Sequence, residues 1–376
     1  MKTRSIPVSQ PWLEKEETDY VLSALADGAI SGLYGEYIDR FEKGFAEYCD
    51  STDGISVSSG TGALHLALVS LGIGPGDEVL VSTFTNMATF FAVLYQGATP
   101  IPVDIEPDTW NIDPTLIERK INRKTRAILV VHIYGHPVDM DPILRFAREY
   151  GLYVVEDCAE AHGALYKGQK VGSLGDVGCF SFYANKIITT GEGGMLTTSD
   201  TGIAERARSL RSLAFGTGNK FMHEDIGFNY RLTNLQAAIG CAQLERIEQV
   251  ITRKREIAQY YNANLHDIPG LQLPVEESYA RNVYWMYHVL LHEEFGCSRE
   301  MVMAKLRNWG IETREAFIPY NMQEIFLRRG WVKRGDCPVA NHVARSGFYL
   351  PSGPVLSEED LEYITGRLKD IQRGSS

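Results

Sequence analysis

Between residues 54 and 200, short β-branched runs alternate with stretches of helical periodicity. Ile55-Ser56-Val57-Ser58 leads into the apolar helix pattern 60–68, and Glu78-Val79-Leu80-Val81 is followed by the helical stretch 87–96. Ala127-Ile128-Leu129-Val130-Val131 precedes a helix over 142–150, after which Leu152-Tyr153-Val154-Val155-Glu156 reads as another strand. Strands separated by helices of roughly 10 to 15 residues predict βαβ units and a largely parallel sheet covered on both faces. Right-handed crossovers then gather the strand C-termini, and any ligand crevice, along one edge. Residues 175–182 and 194–198 read as two further strands. Beyond Asn234, the residues Leu235, Ala238, Ile239, Leu244, Ile247, Ile251 and Ile257 recur at helical spacing, predicting one long helix before Pro269. The remainder predicts a smaller α+β unit: Val289-Leu290-Leu291 as a strand, 299–309 as a helix stopped by Gly310, and Ser357 capping a last helix. The expected class is α/β, with a large domain over 1–250 and a small C-terminal domain over 251–376.

The chain has 376 residues, enough for two domains. No repeat or low-complexity tract interrupts it. Thirty-seven Lys and Arg against 48 Asp and Glu give a net charge of −11. That balance argues against a nucleic-acid partner, which needs a broad basic face. No window approaches the ~20 apolar residues of a membrane span, and Met1-Lys2-Thr3-Arg4-Ser5-Ile6-Pro7 lacks the apolar core of a signal peptide. Cys49, Cys158, Cys179, Cys241, Cys297 and Cys337 are scattered without a C-x-x-C pair. They read as reduced thiols, and a soluble cytoplasmic enzyme without a metal is the expectation. His132 and His136 follow a strand, not a helix, so their spacing does not imply a shared metal.

Three segments carry chemistry. Val154-Val155-Glu156-Asp157 is a hydrophobic strand ending in a carboxylate at the ligand edge. Asp157 can cap a turn there, or hold a ring nitrogen in its protonated form. Twenty-nine residues on, Ser181-Phe182-Tyr183-Ala184-Asn185-Lys186 runs into Thr190-Gly191-Glu192-Gly193-Gly194. A lysine among apolar neighbours has its charged form disfavoured and its amine made nucleophilic, as Schiff-base chemistry requires. The glycines would let backbone approach a flat ligand. Ser58-Ser59-Gly60-Thr61-Gly62, between a strand and an apolar helix, offers N–H groups and small hydroxyls to an anion. A phosphate cradle, a carboxylate for a protonated pyridine and a nucleophilic lysine together describe pyridoxal 5′-phosphate. His162, close behind Asp157, reads as a substrate contact or as a residue standing behind the site, not as a catalytic base. Tyr284-Trp285-Met286-Tyr287-His288 reads as core packing ahead of a strand, with a nucleotide-facing aromatic as the alternative.

In these segments the chain resembles the DegT/DnrJ/EryC1/StrS family of fold type I sugar-nucleotide aminotransferases, over about residues 8–371. The specific stretches are Ser59-Gly60-Thr61, Gly76-Asp77-Glu78-Val79, Glu156-Asp157, 185–195 and Gly227-Phe228-Asn229-Tyr230-Arg231-Leu232-Thr233-Asn234. Tyr134-Gly135-His136, Asp139-Met140-Asp141-Pro142 and the 185–195 run are most similar to the GDP-perosamine synthases of that family. The resemblance implies a mostly parallel seven-stranded sheet flanked by helices, with pyridoxal 5′-phosphate bonded to Lys186, which is also the catalytic base. It implies Asp157 at the ring nitrogen and Gly60, Thr61 and Ser181 at the phosphate, with Asn229 reaching that phosphate from a neighbouring subunit. Glu160 would lie beside the ring, and Arg314 would face the substrate. The implied donor is L-glutamate and the implied acceptor a nucleotide-linked 4-keto-6-deoxysugar, GDP-4-keto-6-deoxymannose giving GDP-perosamine. UDP- or dTDP-linked keto sugars, aminated at the 4- or 3-position, and a non-catalytic cofactor-binding regulator are the alternatives. Relatives that dehydrate the sugar carry histidine where Lys186 stands, so lysine favours transamination. The family is at least dimeric, its sites built across the subunit interface. Two departures stand out. Asn86 follows Thr83-Phe84-Thr85 where members often carry a ring-stacking aromatic, so either Asn86 meets the ring edge-on or a neighbour such as Phe84 stacks on it. The segment 214–223 differs from the Arg/Gly-rich loop of perosamine synthases.

Overall fold

The computed structural model describes residues 5–216, 219–223 and 225–374. In chain order its first strands are β1 (Asp53–Val57), β2 (Glu78–Ser82), β3 (Thr99–Val103), β4 (Thr125–Val131) and β5 (Tyr153–Asp157). A hairpin, β6 (Leu165–Tyr166) and β7 (Gln169–Lys170), precedes β8 (Val177–Ser181) and β9 (Gly194–Thr198). The C-terminal part carries β10 (Leu271–Gln272), β11 (Ala280–Arg281), β12 (Tyr287–Leu291), β13 (Arg314–Glu315) and β14 (Gly347–Leu350). Helices α1 (Lys15–Ala26) and α2 (Glu36–Tyr48) open the chain, and α3 (Gly60–Ser70), α4 (Met87–Tyr95), α5 (Met140–Tyr150) and α6 (Thr201–Arg211) alternate with the strands. They are followed by α7 (Asn234–Glu245), α8 (Ile247–Leu265), α9 (Arg299–Asn308), α10 (Glu324–Arg328), α11 (Pro338–Ser346) and α12 (Glu358–Arg373).

The expected sheet is present: seven strands in the order β1-β9-β8-β5-β4-β2-β3, parallel except for the antiparallel pairings of β9 with β1 and β8. Along β4 the side chains divide between two cores. Ala127, Leu129 and Val131 face the cluster that holds Phe41, Phe45 and Leu66 of α2 and α3, while Ile128 and Val130 face Ile143 and Phe146 of α5. Period-two alternation of wholly apolar residues is what a sheet covered on both faces requires.

Strand β3 has no counterpart in the sequence-based pattern, because Thr99-Pro100-Ile101-Pro102-Val103 carries two prolines. It sits at the sheet edge, where the Thr99 N–H donates inward to the Asp77 carbonyl over 2.9 Å and the prolines present their missing N–H to the open side. The single long helix expected after Asn234 is two helices. Arg246, at φ −124°, breaks them, and its guanidinium turns back to the Trp12 carbonyl and to Glu17. Both halves keep a buried apolar stripe, so periodicity runs through the break unmarked.

The C-terminal residues build a separate core, in which Ile257, Tyr261, Tyr287, Val289, Phe348, Leu350, Ile364 and Leu368 enclose the face of the four-stranded sheet β10-β12-β14-β13. We propose the division of the chain near residue 250 on this separation of cores. Trp285, Met286, Tyr320 and Tyr349 nevertheless pack with the large sheet's cluster. The cavity forms along that seam, at the carboxyl ends of β5 and β8 and the N-terminus of α3.

Candidate active site

A cavity of about 440 Å3 opens at this edge, lined by Gly60, Thr61, Asn86, Thr89, Asp157, Glu160, Ser181, Lys186, Trp285, Arg314, Phe317 and Tyr349 among others. Ser59 caps α3, its Oγ accepting the Gly62 N–H at 3.0 Å. The N–H groups of Gly60 and Thr61, first in the helix, have no intrahelical acceptor and stand beside the Ser181 hydroxyl. Glycine is needed at 60, since a Cβ there would meet the Ser181 Cβ at 2.7 Å. Of the glycines at 191, 193 and 194, Gly194 is required by a neighbouring backbone segment. A Cβ on Gly194 would lie 2.5 Å from the Ser59 carbonyl oxygen, so the close approach is of protein backbone to protein backbone.

Asp157 ends β5 and is buried. Its Oδ2 accepts the Thr89 hydroxyl at 2.8 Å and its Oδ1 the Ala159 N–H at 3.1 Å. Burial raises this carboxyl above the usual aspartate range, offset in part by those two donors and by Lys186. Lys186 lies in the β8–β9 connection, held by its N–H on the Tyr183 carbonyl at 2.9 Å. Burial pushes its amine down, against the pull of Glu160 and Asp157, which favours the neutral nucleophile. Glu160 accepts the Tyr134 N–H at 2.7 Å, and burial lifts it to about 7. Tyr134 presents that N–H from a left-handed conformation, φ 54°.

Not every expected residue reaches the cavity. His162 is fully enclosed by the rings of Phe45, Phe180 and Phe182, its nitrogens without a hydrogen-bond partner, and burial lowers it to about 3. Of the two readings, the structure favours the residue behind the site: His162 is a neutral packing residue that does not line the cavity. Phe84 is equally buried, with its ring against Tyr134 and Phe317, and lies outside the lining; Asn86 lines the cavity and caps α4 through the Ala88 N–H at 3.0 Å. Arg314, more than half exposed, stands at the lining with Glu312 3.6 Å away. Asn229 is exposed, bridges to Ser212 and does not line this chain's cavity. Of the segment 214–223, Thr217 and Gly218 lie outside the described residues.

Sequence reasoning passed over Thr89, for which a hydroxyl amid Met87-Ala88-Thr89-Phe90-Phe91-Ala92-Val93 was the available sign, and it favoured core packing for Trp285, which lines the cavity. The ligating atoms of His132, Glu156 and Cys158 lie within 4.8 Å of one another. Glu156, however, accepts from His132 and from the N–H groups of Gly172, Leu174 and Gly175, and His132 Nδ1 accepts the Val138 N–H. The cluster is a hydrogen-bonded hub that ties β5 to the turn before β8.

The residues present fit pyridoxal 5′-phosphate: an anion cradle, a carboxylate held by two donors and an amine of lowered basicity converge on one cavity. The model of the DegT/DnrJ/EryC1/StrS aminotransferase family matches residues 11–369. The chain is 44% identical over 368 residues to the GDP-perosamine synthase of Escherichia coli O157:H7, covering 97% of this chain and 98% of that one. It is 42% identical over 367 residues to the GDP-perosamine synthase of Caulobacter vibrioides, with the same coverage. Among solved structures it is similar to S. venezuelae DesV in complex with a ketimine intermediate, at a TM-score of 0.91 and 34% identity over 98% of this chain and 99% of that one. The chain belongs to the DegT/DnrJ/EryC1/StrS aminotransferase family.

Proposed function

We propose that this enzyme is a pyridoxal 5′-phosphate-dependent aminotransferase that moves the amino group of L-glutamate onto GDP-4-keto-6-deoxymannose, giving GDP-perosamine. The observation that carries the reading is Lys186, half-buried with lowered basicity beside Asp157 and Glu160, in a chain so similar over its length to GDP-perosamine synthases. When bound, the cofactor supplies an electron sink for the carbanion formed next to it. The chain's own residues do the rest. The N–H groups of Gly60 and Thr61 and the Ser181 hydroxyl would hold the phosphate. Asp157, fixed by Thr89 and Ala159, would sustain a proton on the ring nitrogen. Lys186 Nζ would take the proton from the donor's α-carbon and, in the second half-reaction, deliver one to the sugar carbon that receives the amine. Trp285, Phe317 and Tyr349 line the cavity with apolar surface, and Arg314, also in the lining, would meet a nucleotide-linked anion. Asn229 would complete the phosphate site of a neighbouring subunit in a homodimer or higher oligomer.

The test is amination of GDP-, UDP- and dTDP-linked 4-keto-6-deoxysugars with L-glutamate, followed by mass spectrometry. Conversion of the GDP sugar is expected. Conversion of UDP or dTDP sugars alone would overturn the nucleotide assignment. If glutamate leaves the cofactor's absorbance unchanged and no sugar is aminated, the aminotransferase reading fails and a non-catalytic binder takes its place.

A further inference from the structure

Lys254 is a buried cation whose role neither the fold nor the reaction accounts for. It sits in the middle of α8, 3% exposed, with Nζ donating to the Trp285 carbonyl at 2.7 Å, the Ser352 carbonyl at 2.6 Å and the Ser352 hydroxyl at 3.4 Å. Three acceptors match the three N–H groups of an ammonium. Among the described residues it forms no ion pair, and burial alone acts on it, lowering it to about 7. A lysine so placed is a poor choice for packing, where an aliphatic side chain would fill the space without desolvating a charge. What it does is tie α8, the approach to β12 and the turn after β14 to one point, and the residue it grips is Trp285.

The backbone leading to Trp285 is fixed from both sides. Tyr284 is left-handed, at φ 49°, with its N–H on Asn282 Oδ1 at 2.8 Å, and the Val283 N–H donates to the Gly135 carbonyl at 3.1 Å. A bulky residue stays in that conformation only where its surroundings over-determine it. The indole then makes two contacts with the lysine segment. Its Nε1–H donates to the Asn185 carbonyl at 2.7 Å, and its ring centroid lies 3.9 Å from Lys186 Nζ. Among the described residues Lys186 forms no ion pair, and the indole face is a fixed surface that its amine meets.

We propose that Trp285 is a positioning residue for Lys186, clamped in place by the ammonium of Lys254. The proposal rests on the role given to Lys186 above. The indole N–H fixes the backbone that carries the lysine, and the ring's negative face favours a positive charge at Nζ, opposing the effect of burial. The other groups facing Nζ are Asp157 at the end of β5 and Glu160 just after it, which also favour the charge, with neutral His162 behind. Glu192, Glu315 and Arg314 line the same cavity.

The experiment is a pH titration of the bound cofactor's visible absorbance in the holoenzyme, with kcat and KM for the keto sugar and the melting temperature measured alongside. Trp285→Phe keeps an aromatic face but loses the bond to Asn185; Trp285→Leu loses both; Lys254→Met loses the clamp. In Trp285→Leu the titration midpoint is expected to fall by about one pH unit, with kcat reduced roughly tenfold and more strongly than KM rises. Trp285→Phe should lie between it and wild type, and Lys254→Met should move the midpoint the same way. Should Lys254→Met unfold, the two Trp285 variants decide. A wild-type protein without a borohydride-sensitive visible band would sink the proposed function itself. An intact wild-type band with an unmoved midpoint in folded Trp285→Leu would overturn only the positioning role.

Discussion

Lys186 and Asp157 are surrounded in ways that separate chemistry from stability. Lys186 is a half-buried amine without an ion pair among the described residues, so Lys186→Ala removes a charge that desolvation disfavours. Turnover should be abolished while the melting temperature, read by scanning calorimetry of the cofactor-free proteins, stays at or above that of wild type. His162 and His288 give the residue scale its pH dependence. Both are fully buried and lowered to about 3. A base whose folded value lies below its unfolded one binds fewer protons when folded, so its stabilisation is complete above about 6.5 and is lost as pH falls toward 3. Each contributes on the order of 1.4 kcal/mol per pH unit within that window. His162→Leu should therefore narrow the gap between the melting temperatures at pH 7.5 and pH 5. The lysine and the aspartate were legible in the sequence because each stands at the end of an apolar strand run. The enclosure of His162 was not, because the rings of Phe45 and Phe180 that surround it arrive from α2 and β8.

Among the elements, α11 shows how a helix start can be completed from far along the chain. Its own N-cap, Cys337, offers no side-chain bond. Instead Asp104, just after β3, accepts the Val339 and Ala340 N–H groups at 3.0 Å each and the Ile105 N–H at 2.9 Å. Asp104→Ala leaves those donors without an acceptor, with an expected loss of about 2 kcal/mol in a calorimetric melt. Thr233 is a local counterpart: with Gln236 it forms a capping box at α7, and Thr233→Ala should cost about 1 kcal/mol by the same measurement. Local caps of this second kind can be read from a sequence; Ser357 before α12 was read that way and forms its box with Asp360. Caps of the first kind cannot, since residues 104 and 339 meet only through the fold. The prolines of β3 hid a strand for a related reason, since an edge strand needs only half its N–H groups and local propensity does not report which strand is the edge.

At the scale of the whole molecule, the cavity is made by a seam between two cores, and one expected contributor, Asn229, is exposed and does not line it. Co-expressing Lys186→Ala with Asn229→Asp tests whether sites are shared. If Asn229 serves a neighbouring subunit in a dimer, random pairing places both wild-type residues in about a quarter of the sites, and activity returns to roughly that share of wild type. If each chain serves itself, that pairing leaves activity at the level of the Asn229→Asp chains alone.

The sequence by itself determined the layered α/β plan, because alternation of apolar runs with period-3.6 stretches reports which residues must leave water, and that depends on neighbours within a few positions. It also determined the chemical identity of the centre, since a lysine after an apolar strand, a carboxylate closing another and small residues at a helix start are each local features. Only the tertiary structure decided which side chains touch. Thr89 on Asp157, Glu160 under the turned N–H of Tyr134, and Trp285 between Lys254 and Lys186 depend on the order and register of the strands. That order is set by packing energy summed over whole cores, which no short window of the chain contains.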